Sequence, residues 1–162
     1  MSRAFRRSAL IGSGLATVLV AGTVLVACAQ NGSGVDAAGT SRITVTGAYI
    51  PLPATEGGMG AGYLTVRNDG SGDDQLVKVS SPAAKSITLH RSTDTTMEDV
   101  TALPVPARST LTLERGGNHL MIMGWTKAPA VGDVLKLDLT FARGETVSVA
   151  TPVKPLTYRP GS

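Results

Sequence analysis

From residue 42 onward the chain carries no long stretch of helical apolar period; short alternating or β-branched runs recur instead, each closed by turn residues. The pattern predicts eight strands: Ile43 to Tyr49, Tyr63 to Asn68, Gln75 to Ser80, Ser86 to His90, Ser109 to Leu113, His119 to Met123, Val134 to Phe141 and Thr146 to Ala150. Pro51 and Pro53, Gly57-Gly58, Asp69-Gly70, Gly116-Gly117, Gly132-Asp133 and Arg143-Gly144 mark turns at hairpin-like intervals. The expected fold class is therefore all-β, a sandwich or small barrel. In 162 residues, 42% apolar and 17% charged, there is material for one core, placed at residues 42–151. Residues 152–162 read as a loose C-terminal tail.

The N-terminus reads as an export segment over residues 1–27. A positive region from Ser2 to Arg7 precedes an uncharged run from Ala9 to Ala27, which ends Leu25-Val26-Ala27-Cys28. This resembles a bacterial lipoprotein signal, in which the small Ala27 precedes the scissile bond and the Cys28 thiol takes a diacylglyceryl group. An uncleaved transmembrane anchor is the alternative, since nineteen uncharged residues at ~1.5 Å each span roughly the hydrocarbon core. The lipoprotein reading is preferred because the chain's only cysteine closes the run and a polar linker follows at once. Either way the globular part lies outside the cytoplasm, held at the cell membrane. Arg6-Arg7 leaves twin-arginine export open beside the general secretory route. Residues 28–41 form the lipidated cysteine and a Gly/Ser/Ala tether, whose flexible reach is ~20 Å.

Charge and cysteine usage exclude several function classes. Of the fifteen basic residues, Arg3, Arg6 and Arg7 lie in the export segment, so twelve remain against twelve acidic ones and the exported body is formally neutral. With aromatics at only 4%, nothing offers a phosphate backbone a counter-charged, stacking surface, so no nucleic-acid partner is expected. With Cys28 acylated, no disulfide, catalytic thiol or blue-copper thiolate remains. No nucleophile-elbow or metalloprotease motif is present, and an enzyme is not expected.

What the body does carry is a soft donor set. Both histidines, His90 and His119, and three of the four non-initiator methionines, Met97, Met121 and Met123, fall between residues 90 and 123. Imidazoles and thioethers are neutral donors that suit Cu(I). In a strand, residues two apart share a face and lie ~6.6 Å apart, so His119, Met121 and Met123 share one side while Leu120 and Ile122 fill the core. His90 shares a side with Ser86 and Thr88 and can reach the same rim. Met97 follows in a polar connection, where a loop methionine could swing onto a metal. Met123 reads as an apolar neighbour beneath the metal, Met59 as a plug in a glycine-rich loop, and Trp125 as a packing residue or a cover for the site.

His90, Met97 and His119-Leu120-Met121 together resemble the PCu(A)C-type periplasmic copper chaperones, whose signature is a histidine, a methionine and, after about twenty-one residues, His-x-Met. Residues 43–49, 62–68 and 115–124 also look similar, so the resemblance covers roughly 42–151. It implies a cupredoxin-like β-barrel that binds one Cu(I) through His90, Met97, His119 and Met121. It also implies delivery of copper to the CuA centre of cytochrome c oxidase subunit II, or a part in copper homeostasis. One departure stands out: the family usually has about ten residues between its first histidine and the methionine, but six separate His90 from Met97, and Thr101 occupies the ten-residue position. Because an imidazole binds metal only when unprotonated, affinity is expected to fall in acid. The competing expectation is a lipid-anchored β-sandwich interaction module whose His and Met residues are structural.

Overall fold

The computed structural model describes residues 39–93 and 95–161; the export segment, Cys28 and most of the tether lie outside them. Ten strands follow in chain order: β1 Ile43–Pro51, β2 Gly60–Asn68, β3 Asp74–Ser80, β4 Ala84–Ser92, β5 Met97–Val100, β6 Leu103–Val105, β7 Thr110–Leu113, β8 Asn118–Trp125, β9 Val134–Phe141 and β10 Thr146–Lys154. They hydrogen-bond in the order β5-β4-β8-β2-β1-β10-β9-β3-β6, with β7 also paired to β2. The result is a nearly closed, barrel-like all-β fold, as the period-two patterning requires.

Alternation decides which side of each strand enters the core. On β9, Leu137, Leu139 and Phe141 are fully buried, while Lys136 and Asp138, alternating with them, point outward and pair at 3.0 Å. Leu64, Val66, Leu76, Leu89, Leu103 and Leu120 join them in one continuous cluster. Beside its pairing with β1, β2 serves two further neighbours: Gly60–Gly62 pair with β8, and Leu64–Arg67 pair with β7. β1 is irregular at Gly47, whose φ of +62° sits where its pairing with β2 slips between Thr46 and Tyr49. The extra residue turns the strand so that Tyr49 and Ile50 are buried, and Ile50 then pairs in parallel with Val153 of β10.

At the far end of β2 the fully buried Asn68 ties three segments together. Its amide donates to the carbonyls of Gly72, Val105 and Pro106 at 2.8, 3.1 and 3.3 Å, and its carbonyl oxygen accepts from the amides of Arg42 and Gly70 at 3.0 Å each.

The structure adds two strands to the eight expected. Met97-Glu98-Asp99-Val100 offers a single apolar residue to the inside, and Leu103-Pro104-Val105 is short and contains proline. Neither has a strand signal of its own. Both are edge strands held by one partner, β5 by β4 and β6 by β3, which is where a proline without an amide hydrogen is tolerated. At the C-terminus β10 runs on to Lys154. The segment read as loose is docked: the Tyr158 ring stands edge-on to Tyr49 with centroids 5.0 Å apart, and Arg115 donates to the Leu156 carbonyl at 3.0 Å.

Candidate metal site on the outward face of the sheet

β8 builds the site because its alternation is strict. Leu120 and Ile122 are fully buried, and the intervening His119, Met121 and Met123 take the opposite face. β4 pairs antiparallel with β8 in a register that sets His90 opposite His119, Thr88 opposite Met121 and Ser86 opposite Met123. Directly opposed residues share a face. The two imidazoles accordingly stack, with centroids 5.6 Å apart and planes inclined by 24°.

β5 supplies the methionine. Met97 is the first residue of this strand rather than part of a loop; it pairs with Ser92, and Asp99 pairs with His90, so Met97 lies on the histidine face. The short interval between His90 and Met97 is thus a tight hairpin, closed by the Thr93 amide donating to the Thr96 carbonyl at 2.8 Å. Thr101, the ten-residue position, lies beyond the end of β5 and away from the histidines, beside Val79 and Leu89.

Met97, His119 and Met121 line one open cavity of about 470 Å³, which Tyr63, Arg115 and Met59 also border. His90 stands against its edge, stacked on His119, and is not one of the lining residues. Met59 is the residue whose place the sequence misjudged: it is 67% exposed at the cavity mouth and plugs nothing. The signal is the β2–β8 register, Ala61 opposite Met121, which sets residue 59 on the same face only once the strands are paired. Trp125 packs, and it also ties down the loop: its indole N–H donates to the Gly58 carbonyl at 2.7 Å, and its ring lies where a Cβ at Gly60 would be.

The two histidines differ in what their nitrogens do. His119, 8% exposed, has Nδ1 3.0 Å from the Gly117 carbonyl, and a carbonyl can only accept, so Nδ1 carries the hydrogen. In the neutral ring Nε2 then holds the lone pair, the arrangement in which a backbone carbonyl orients an imidazole toward a metal. His90 shares a hydrogen bond between Nε2 and the Thr88 hydroxyl at 2.8 Å, while its Nδ1 is buried with no partner among the described residues. Burial raises the Tyr63 phenol above the ordinary 10.0, against the opposing charges of Arg115 and Arg159, so it stays neutral. Among the described residues no acidic side chain lines the cavity, and no three of His, Cys, Asp and Glu converge. The donors gathered here are therefore neutral imidazole and thioether, a set that suits a soft monovalent ion.

Comparison with known proteins gives a consistent picture. Residues 43–153 match the family model described as "Putative lipoprotein LpqE-like". A protein of Leifsonia xyli subsp. xyli, "Putative lipoprotein Lxx21020", is 38% identical over 108 residues, which span 64% of this chain and 65% of that protein's length. Among solved structures, the copper-bound PCuAC domain from PmoF2 superposes with a TM-score of 0.62 at 21% identity, covering 72% of this chain and 98% of that one. The Cu(I) form of DR1885 from Deinococcus radiodurans gives a TM-score of 0.57 at 33% identity, covering 70% of this chain and 80% of that one.

Proposed function

From the premise that this chain belongs to the LpqE-like lipoprotein family and shares its fold with PCuAC copper domains, we propose that it is an extracytoplasmic copper chaperone. It holds one Cu(I) with His90, Met97, His119 and Met121, and is tethered to the cell membrane through an acylated Cys28. The observation that carries the reading is the pairing of His90 with His119 on one outward face, 5.6 Å between rings, at a cavity that Met97 and Met121 line.

The arrangement suits capture and release better than turnover. Thioethers favour the reduced ion without adding charge, and His119 Nε2, already oriented by Gly117, supplies a stronger donor. His90, bonded through Nε2 to the Thr88 hydroxyl and with no partner for Nδ1 among the described residues, can offer a ring nitrogen to the ion once its ring turns. The open cavity allows an acceptor to approach and exchange ligands one at a time. Anchorage at the membrane through Cys28 suits an acceptor that is itself a membrane protein, such as cytochrome c oxidase subunit II with its CuA centre. Anaerobic Cu(I) titration of the full chain in detergent, against a competing chelator, tests this. One equivalent should bind, with His119→Ala and Met121→Ala each weakening it; equal binding by all three proteins rejects the chaperone role.

A further inference from the structure

We propose that Met59 is a further copper ligand, a thioether at the cavity mouth that shares the ion with Met97 and Met121 while it is taken up or handed on; this rests on the copper reading above. Two large apolar side chains, Met59 at 67% and Met97 at 57% exposure, stand in solvent on different walls of the same cavity, whose floor includes Met121 and His119. Packing does not explain either one. Met59 is also the only side chain in Gly57-Gly58-Met59-Gly60.

The backbone on both sides of Met59 is fixed. Gly58 donates to the Thr55 carbonyl at 3.0 Å and accepts from the Trp125 indole at 2.7 Å, while Gly60 lies flat against the indole ring, where no Cβ fits. Gly57, at φ +66°, makes the turn that delivers the segment. The loop is thus tied down on both sides of one solvent-exposed side chain, and methionine, unbranched with three rotatable bonds and a polarisable sulfur, reaches a soft ion over a range of positions. Ala61, opposite Met121, adds only a methyl group to the cavity lining. Three thioethers in one cavity give the ion successive sulfur partners of equal charge and softness, so exchange at the mouth proceeds without exposing a bare cation.

The test is methyl NMR of the full chain labelled at methionine methyl carbons, assigned by single Met→Leu variants and titrated with Cu(I) to one equivalent. The Met59, Met97 and Met121 methyl resonances should all move. In parallel, Met59→Leu should release Cu(I) to a chelator at least about tenfold faster, the lower end of what even supporting residues contribute to metal affinity. Movement of Met97 and Met121 with Met59 stationary overturns the proposal, and so does an unchanged release rate in Met59→Leu even if its methyl moves. If none of the three methyls responds, the copper reading itself fails, and this proposal with it.

Discussion

Replacing His90 by phenylalanine should weaken copper binding and yet leave the metal-free protein as stable as before, or more so. A histidine kept for structure pays its way through its hydrogen bonds, and here the balance runs the other way. Nδ1 of His90 is buried with no partner among the described residues, a condition that costs about 1–3 kcal/mol in a folded protein. The bond between Nε2 and the Thr88 hydroxyl returns about 0.5–1.5 kcal/mol, and Thr88 is only half-buried, so water can replace part of it. Phenylalanine removes both nitrogens and keeps the ring that stacks on His119. The net expectation is a gain of about 1 kcal/mol, or roughly 4 °C in melting temperature for a body of this size. Urea and thermal unfolding at pH 7.5 with a copper chelator present read the first part, and Cu(I) competition reads the second. Loss of more than about 1 kcal/mol of metal-free stability, with copper affinity unchanged, would show that His90 is a structural residue and refute the reasoning.

Two predictions concern the scaffold. Asn68→Ala takes the side-chain partner from two backbone amides and from the Gly72 and Val105 carbonyls around a fully buried position, while Pro106 keeps its bonds from Ser109; it should lower stability by about 3 kcal/mol in urea unfolding while copper binding at low temperature persists, and a loss under 1 kcal/mol would contradict the accounting. Asp74 is raised by its burial but lowered more by hydrogen bonds from the Ser41 hydroxyl and the amides of Gln75 and Arg143, with the Arg143 charge adding to them, so its carboxyl titrates below the usual 3.8. A carboxylate depressed by folding stabilises above its unfolded value, and that stability drains away as pH falls from 3.8 toward the folded value. Wild type should therefore lose more of its urea midpoint than Asp74→Asn between pH 6 and pH 3; parallel losses would remove Asp74 from the explanation.

Much of the fold was legible from the amino acids because a buried strand writes itself in alternation. β8 shows this best: apolar Leu120 and Ile122 interleaved with His119, Met121 and Met123 announce both a strand and its two faces. β5 and β6 leave no such record. Glu98, Asp99 and Pro104 would suit a loop equally well, and only the free edges of β4 and β3 make those segments strands. The docked C-terminal segment was hidden for a similar reason, since Tyr158 has nothing to pack on until the Gly47 bulge turns Tyr49 toward it.

By itself, the sequence determined an all-β body and a same-face pair of soft donors at 119 and 121, because side-chain direction along one strand follows from spacing alone. Which residues from other strands meet that pair was decided by tertiary structure. Pairing register set His90 against His119, brought Met97 to the same face across a shortened hairpin, and moved Met59 from an apparent loop filler to the mouth of the cavity. Register depends on the hydrogen bonds and packing of a whole sheet, so no local run of residues could have encoded it.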